Sequence, residues 1–157
     1  MLLVACCFYR YRVKLKVCWV GKTKEAAIEA LTSEYVKRLR RYVSSDTHEL
    51  RDEPALLNLI KKERLRPAVV LLEACGRQMS SEELAQFVGT HQDRGTQTLL
   101  FAVGPADGWS DEARRRAGLL LSLGKITLSH ELARVVLLEQ LYRAFTILKG
   151  HPYHLGH

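Results

Sequence analysis

Two mainly apolar runs, 68–73 (AVVLLE) and 97–103 (QTLLFAV), constrain the fold of this 157-residue chain more than any other feature. Both runs are short and rich in leucine and valine, which favours strands that are buried on both faces. Segments with helical periodicity lie before, between and after them, and strands that alternate with helices form parallel sheets. We therefore predict an α/β fold with a mostly parallel five-stranded sheet and helices on both of its faces.

Caps, turn residues and periodicity divide the rest of the chain. The five predicted strands are residues 14–20, 47–50, 68–73, 97–103 and 119–123. The predicted helices are residues 23–42 with Thr23 as N-cap, then 54–64, 80–91, a short helix that begins at Ser110, and 131–148. Residues 44–46 are predicted to form a loop, because serine and aspartate favour turns.

The first predicted helix has two different faces. An apolar stripe at steps of three and four is predicted to face the core and consists of Ile28, Leu31, Tyr35, Leu39 and Tyr42. The other face carries four basic residues, Lys37, Arg38, Arg40 and Arg41. The sequence leaves open whether this basic face is only solvated or also contacts RNA.

The chain is basic, with a formal net charge of +7. Lysine and arginine bind phosphate backbones and release their counterions, so this charge favours a nucleic-acid partner. The four cysteines form no CxxC pair, which indicates reduced thiols in a cytoplasmic protein. No apolar run approaches the roughly 18 residues of a transmembrane helix, so no membrane partner is expected.

The first twelve residues differ from those that follow. Their apolar part is short and has no basic segment before it, which is unlike a secretory signal. Residues 13–22 read like a natural protein start followed by a first strand, with Val13 as an alternative initiation position. We therefore predict that residues 1–12 are a non-native extension and that residues 13–157 form a single domain.

Three glycine-bearing loops directly follow predicted strands, at residues 73–76, 103–108 and 123–125. The carboxyl ends of parallel strands lie along one edge of a sheet, where ligands bind, so these loops predict a small-molecule site. Two nucleotide-binding patterns are rejected. Residues 21–23 spell Gly-Lys-Thr without the upstream glycine of a P-loop, and no GxGxxG follows any strand.

The last predicted helix is apolar over most of its surface. Such breadth indicates burial on more than one side, which a dimer interface provides most simply; packing against the protein's own sheet is the alternative. Arg134 and Arg143 lie on this helix with Glu139 between them. These arginines form either salt bridges along the helix or contacts with RNA.

The end of the chain places three histidines around an aromatic ring. His151, His154 and His157 follow one another at steps of three, with Tyr153 among them. A short tail without cysteine or carboxylate is poor support for a metal site, so no metal is predicted. An aromatic ring beside histidines suits stacking on a base and proton transfer.

The second half of the chain also carries a more specific pattern. Its motifs are Gly-Pro-Ala-Asp-Gly-Trp-Ser at 104–110, Leu-Ser-Leu-Gly-Lys-Ile-Thr-Leu-Ser-His at 121–130, Arg-Val-Val-Leu-Leu-Glu-Gln-Leu-Tyr-Arg-Ala-Phe at 134–145 and His-Pro-Tyr-His at 151–154. With these motifs the chain resembles the RlmH family of SPOUT methyltransferases over roughly residues 13–154. It departs from that family at Pro105, Ser129 and Leu155, where a glycine, a proline and a basic residue are usual.

The resemblance implies an S-adenosylmethionine-dependent enzyme that methylates N3 of a pseudouridine in 23S ribosomal RNA, on the assembled ribosome. It also implies a C-terminal deep trefoil knot and a homodimer in which both subunits build each active site. The implied cofactor residues are Leu72, Gly104, Leu123, Gly124, Lys125, Ile126, Thr127 and Leu128. The implied RNA-binding residues are His130, Arg134 and Tyr142, and the implied catalytic residues are Arg143, Tyr153 and His154.

The chemistry assigns a role to each catalytic candidate. Methyl transfer from a sulfonium is an in-line displacement, so the enzyme chiefly positions donor and acceptor. The acceptor nitrogen must lose a proton, and His154 is the candidate base, although positioning of the RNA alone is the other reading. Tyr153 is expected to stack on or orient the target base, and Arg143 to hold a phosphate. The alternative functions are a different rRNA or tRNA target and a non-catalytic RNA-binding domain.

Overall fold

The computed structural model describes residues 13–155, except for the side chain of His154. The predicted extension, residues 1–12, lies outside the described residues. The strands are β1 (Lys14–Val20), β2 (Ser44–Leu50), β3 (Ala68–Gln78), β4 (Thr98–Val103) and β5 (Leu119–Ser122). The helices are α1 (Ala26–Leu39), α2 (Glu53–Lys62), α3 (Ser81–Asp93), α4 (Asp111–Arg116) and α5 (His130–Leu148), followed by a 3-10 turn at Pro152–Leu155. None of these helices combines the length and hydropathy that crossing a bilayer requires.

The five strands form one sheet in the order β2-β1-β4-β3-β5, and every neighbouring pair is parallel. All six residues of the central strand β4 are buried, as its mainly apolar sequence predicts. The predicted α/β fold with a parallel five-stranded sheet is therefore confirmed.

Successive residues of each strand face two different layers of helices, because side chains alternate across a sheet. Leu99 and Phe101 of β4 belong to the core that α1, α3 and α5 cover. Leu100 and Ala102 point the other way and pack with residues of α2 and α4. Helices thus lie on both faces of the sheet, as predicted.

The first helix begins later than predicted and buries a different stripe. Its N-cap is Glu25 without a side-chain capping bond, so the prediction that Thr23 caps the helix is wrong. The buried residues of α1 are Ile28, Thr32, Val36 and Leu39. Leu31, predicted to face the core, is 44% exposed. Thr32 is buried instead, because it lies four residues after Ile28 and four before Val36 and so shares their face of the helix.

Strand β2 is longer than its polar sequence indicated. Residues 44–46, predicted as a loop, pair in parallel register with residues 14–16 of β1. An edge strand has one side open to solvent, so its sequence keeps polar residues that resemble a loop. The pairing with β1, rather than the apolar pattern, sets the start of this strand.

Strand β3 continues past the glycine that was expected to lie in a ligand-binding loop. It runs to Gln78, with an irregularity in its pairing with β5 between Leu72 and Arg77. A Cβ atom at Gly76 would lie 2.7 Å from backbone atoms of Leu120. The prediction of a glycine loop at residues 73–76 is wrong, because close approach of the two strands requires this glycine.

Helix α5 is covered mainly by its own chain. It contacts α1 and α3, and its inward residues belong to the core above the sheet. Leu137, Leu138 and Leu141 are fully buried, whereas Leu132 is 49% exposed. Packing within the chain therefore accounts for most of the apolar surface of α5, for which a dimer interface was the first prediction.

Candidate functional site

The carboxyl ends of β1, β4 and β3 lie next to one another at one edge of the sheet. Trp19 of β1 is in register with Val103, the last residue of β4, and Gly104 follows directly. The 123–128 loop leaves β5 at the same edge, beyond β3, and leads into α5. Two of the three predicted glycine loops therefore lie at the expected ligand-binding edge.

Trp109 holds the loop after β4 against β3. Its indole N–H donates a hydrogen bond to the carbonyl oxygen of Leu72, with an N–O distance of 2.9 Å. A Cβ atom at Gly104 would lie 2.7 Å from the ring atom Cε2 of the same buried tryptophan. Leu72 and Gly104, both predicted to hold the cofactor, are thus brought together by one side chain.

The 123–128 loop is open to solvent at its tip. Ile126 is 82% exposed, and Gly124 has a φ of +132°, a conformation that favours glycine. The hydroxyl of Ser122 accepts from the Gly124 N–H at 3.2 Å and donates to the Gly124 carbonyl at 3.0 Å. Among residues 13–155, the backbone N–H groups of residues 125–128 donate to no backbone carbonyl. The loop therefore offers backbone donors and an uncovered apolar side chain to a ligand.

Glu139 joins α5 to the C-terminal turn. Its Oε1 accepts hydrogen bonds from Arg143, at 2.6 Å from Nη2 and 3.1 Å from Nε, and from the Tyr153 hydroxyl at 3.1 Å. The hydrogen bond to Glu139 raises the pKa of Arg143. The guanidinium carbon of Arg143 also lies 5.0 Å from the Tyr153 ring centroid. Of the two alternatives for Arg143, the salt bridge along the helix is present, and it orients two predicted catalytic residues.

Tyr142 packs against three other tyrosines. Its ring centroid is 4.6 Å from that of Tyr153, 5.9 Å from Tyr42 and 6.3 Å from Tyr35. Burial, together with hydrogen bonding to Tyr35 and the charge of Glu139, raises the pKa of Tyr153. The Tyr153 hydroxyl therefore stays protonated at neutral pH and acts as a donor. Tyr142 is 8% exposed, so it supports this cluster from inside rather than presenting a face to RNA.

Arg134 lies inside the protein, not on the RNA-facing surface that was predicted for it. It is 1% exposed, and its guanidinium carbon lies 4.2 Å from the centroid of Trp19. Its position on α5 falls on the same inward stripe as Leu137 and Leu138, three and four residues later. Burial lowers its pKa, although the charges of nearby glutamates oppose this shift.

The guanidinium of Arg134 has few hydrogen-bond partners. Nη1 donates to the Thr23 hydroxyl at 2.9 Å, whereas Nε and Nη2 donate to no acceptor within the described part of the chain. Thr23 in turn donates to Glu49 at 3.2 Å. Arg134 therefore connects the start of α5 to the loop after β1, which is where the sequence spelled Gly-Lys-Thr.

The remaining predicted residues lie at the two ends of α5. His130 is its first residue and is half-buried, directly after Ser129, whose hydroxyl accepts from the Leu132 N–H at 3.4 Å. His154 is in the 3-10 turn, but its side chain lies outside the described residues, as does His157. Within residues 13–155, no three histidine, cysteine or carboxylate side chains come together as metal ligands.

Three residues of the site, Glu139, Trp109 and Tyr35, were not predicted to belong to it from the sequence. The spacing of Glu139 and Arg143, four residues apart on one helix, was the available signal for the first. Trp109 belongs to the motif at 104–110, but its contact with Leu72 joins residues 37 positions apart and depends on the folded sheet. Tyr35 was assigned to the core because it falls on the apolar stripe of α1.

The chain is similar in sequence to proteins of known family over most of its length. A family model described as "Predicted SPOUT methyltransferase" matches residues 13–154. A protein named "Ribosomal RNA large subunit methyltransferase H" from Koribacter versatilis is 58% identical over 146 residues, which cover 92% of this chain and 100% of that protein. Proteins of the same name from Geotalea daltonii and Geobacter sulfurreducens are 45% and 41% identical, and each alignment covers 90% of this chain and 99% of the relative.

Proposed function

Because this chain belongs to the SPOUT methyltransferase family, we propose that it uses S-adenosylmethionine to methylate N3 of a pseudouridine in 23S ribosomal RNA, on the assembled ribosome in the cytoplasm. The observation that carries the proposal is the relative from Koribacter versatilis, named a large-subunit ribosomal RNA methyltransferase and 58% identical over its whole length. The net charge of +7 suits a polyanionic substrate.

The residues at the sheet edge fit a methyl donor of this kind. The exposed 123–128 loop has free backbone donors, and Ile126 is an apolar side chain without cover, so together they suit a nucleoside. Leu72 and Gly104 line the adjacent edge and are held there by Trp109. S-adenosylmethionine, when bound there, supplies an electrophilic methyl group.

The C-terminal turn is the proposed acceptor side of the site. Tyr153 is fixed through its hydroxyl by Glu139 and through its ring by Tyr142, so it offers a rigid surface against which a base is oriented. His154, the next residue, removes the proton from the acceptor nitrogen or positions the RNA for its loss. Arg143 holds a phosphate through the N–H groups that do not donate to Glu139.

The proposed RNA-binding residues act in two ways. His130 lies at the start of α5, beside the 123–128 loop, and contacts RNA there. Arg134 and Tyr142 are buried, so they act indirectly. Arg134 steadies the loop after β1 through Thr23, and Tyr142 supports the ring of Tyr153.

The proposed function also involves two copies of the chain. We expect a homodimer, because the exposed Leu132 and the half-buried Val135 and Val136 leave an apolar strip on α5 that the described residues, 13–155, do not fully cover. Both subunits then contribute to each active site. The trefoil knot common in this family would involve the 123–128 loop and α5.

The proposal is tested by methylation of ribosomes from a strain that lacks the corresponding modification. The purified chain is incubated with isotope-labelled S-adenosylmethionine and, in parallel, with 70S ribosomes, free 50S subunits and bulk tRNA. Nuclease digestion and mass spectrometry then locate the label. We expect one N3-methylpseudouridine in 23S rRNA, formed with 70S ribosomes.

Other outcomes separate the alternatives. Label in tRNA or at a different rRNA nucleotide would identify another SPOUT target. Calorimetry that detects no binding of S-adenosylmethionine, together with retained RNA affinity, would identify a non-catalytic RNA-binding domain.

A further inference from the structure

We propose that the C-terminal half of α1 is a second wall of the RNA-binding surface, on which Arg38 and Tyr35 contact nucleotides that flank the methylated one. This inference rests on the proposed function, because it extends the substrate-binding surface of the same site. Residues 34–41 lie outside the four motifs that carry the family resemblance.

The first argument is that α1 and the C-terminal turn share one aromatic cluster. The ring of Tyr142 packs between them, 6.3 Å from Tyr35 on α1 and 4.6 Å from Tyr153 in the turn. Tyr142 is buried, whereas Tyr35 and Tyr153 are both partly exposed. A single-stranded RNA that reaches Tyr153 therefore meets α1 as the next part of the same surface.

The second argument concerns the guanidinium of Arg38. Its central carbon lies 5.4 Å from the Tyr35 centroid and 5.9 Å from the Tyr142 centroid, so the rings hold it at the rim of the cluster. Its Nε donates to Glu34 at 2.7 Å, and in the described part of the chain its two Nη groups have no acceptor. Both partners of this ion pair are substantially exposed, so the pair is weak and a phosphate can compete for the arginine.

Arg143 repeats this arrangement at Tyr153. Its guanidinium lies over Tyr153 and is held by Glu139, four residues earlier on α5. Two guanidinium groups, each above a tyrosine and each oriented by a glutamate one turn away, thus adjoin the same aromatic cluster. Stacking on aromatic and guanidinium planes is the usual way in which proteins hold unpaired RNA bases.

The third argument is the local charge. Between residues 34 and 41 the chain has one acidic side chain, Glu34, and four basic ones, Lys37, Arg38, Arg40 and Arg41. Lys37, Arg40 and Arg41 are exposed. This is the basic face for which the sequence left two readings open, and its continuity with Tyr153 favours contact with the RNA backbone.

The test compares Arg38→Ala and Arg38→Lys with wild type and with Arg51→Ala as the matched control. Arg51 is an equally charged residue whose side chain is 90% exposed and whose ion pair is with its neighbour Asp52. KM for ribosomes and kcat are measured separately, together with Tm and the affinity for an rRNA fragment that contains the target loop, at several salt concentrations.

We expect Arg38→Ala to raise KM and weaken fragment binding by about tenfold, with kcat changed less than about twofold. The slope of log affinity against log salt falls by about one for the alanine variant and stays unchanged for lysine, which keeps the charge. Lysine recovers only part of the affinity, because it has no plane on which a base stacks. Arg51→Ala stays at the wild-type values.

The inference is overturned if Arg38→Ala matches Arg51→Ala in KM and in fragment affinity, or if its effect is a lowered Tm without a change in RNA affinity. Failure of the proposed function is a separate result. In that case the wild-type chain transfers no methyl group to rRNA, and the fragment-binding comparison still decides whether α1 contacts RNA.

Discussion

Trp109 and Leu72 are joined by a hydrogen bond of 2.9 Å between the indole N–H and the backbone carbonyl, across 37 residues of sequence. This bond fixes the loop after β4 relative to β3, and the ring that makes it fills the space left by Gly104. The geometry of the sheet edge at which we propose that the cofactor binds therefore depends on the buried side chain of Trp109.

Replacement of Trp109 by phenylalanine tests this dependence. Phenylalanine keeps an apolar ring but loses the donor, so the Leu72 carbonyl is left without its partner. We expect the free energy of unfolding to fall by about 1–3 kcal/mol and the affinity for S-adenosylmethionine to fall with it. Urea unfolding and calorimetry measure the two effects, and an unchanged cofactor affinity would contradict the positioning role.

An alanine at Gly104 tests the same contact from the other side. Its Cβ would lie 2.7 Å from the Trp109 ring, so the ring or the loop must move, and we expect cofactor affinity to fall at least tenfold. Gly118→Ala is the control, because the nearest atom to its Cβ would be 3.8 Å away. Equal affinity of the two variants, measured by calorimetry, would show that the loop tolerates the side chain.

The sequence predicted the sheet well where strands are buried. The run at 68–73 forms the first part of β3 and the run at 97–103 covers all of β4, because burial on both faces favours mainly apolar residues. It failed for residues 44–46, where an edge strand keeps polar side chains, and at Gly76, where contact with a neighbouring strand sets the residue. Both failures concern pairing between distant segments, which local patterns do not contain.

In the candidate site, too, local patterns predicted some features and missed those that depend on contacts between distant segments. Gly104 and Gly124 were predicted to lie at a ligand-binding edge because they follow strands, and they lie at that edge, whereas residues 126–128 were implied only by the family resemblance. Arg134 was predicted to face RNA, but its helical position directs it inward onto Trp19. Glu139 was recognised only as a possible ion-pair partner, because its contact with Tyr153 depends on how the tail folds back onto α5.

The role of Glu139 is tested by Glu139→Gln beside Tyr153→Phe. Glutamine loses the charge that pairs with Arg143, and phenylalanine removes one hydrogen bond to the same oxygen. We expect Glu139→Gln to lower kcat by about 10–100-fold, because Arg143 and Tyr153 lose their fixed positions, and Tyr153→Phe to lower it less, with S-adenosylmethionine affinity unchanged in both. Single-turnover methylation of ribosomes measures the rate, and calorimetry measures the affinity for S-adenosylmethionine. A loss of this affinity as large as the loss of rate would instead indicate a general structural defect.

Tyr153 itself is not expected to govern the pH dependence of the rate. Burial, Tyr35 and Glu139 raise its pKa above the ordinary value of 10.0, so the hydroxyl stays neutral between about pH 6 and pH 9. We therefore expect the Tyr153→Phe variant to have the same pH–rate profile as wild type, scaled down. A limb that disappears from the profile in this variant would assign the proton transfer to Tyr153.

Acid stability depends on the ion pair of Glu63 and Lys16, which links the end of α2 to β1. Burial alone would raise the pKa of Glu63, but hydrogen bonds from Lys16 and Thr98 outweigh it and hold this pKa below 4.5. The ionised carboxylate thus stabilises the fold above about pH 4.5, and this contribution is lost as pH falls through the lowered pKa.

We expect Glu63→Gln to reduce the free energy of unfolding by about 1–3 kcal/mol at pH 7 and to differ little from wild type in strong acid. Urea unfolding between about pH 3 and pH 7 measures the difference. Glu112→Gln, which removes an exposed carboxylate, is expected to cost less than about 1 kcal/mol at any pH. A constant difference between Glu63→Gln and wild type across this range would contradict the ionic origin of the stability.

Arg134→Met separates a structural role from direct RNA contact. Methionine fills a similar volume and removes a buried cation whose Nε and Nη2 donate to no acceptor within residues 13–155, at the cost of the bond to Thr23. These changes oppose each other, so we expect the free energy of unfolding to change by less than about 2 kcal/mol. Because the side chain is 1% exposed, the salt dependence of rRNA affinity should stay at the wild-type slope. A slope that falls by about one would mean that Arg134 leaves the Trp19 ring to bind a phosphate.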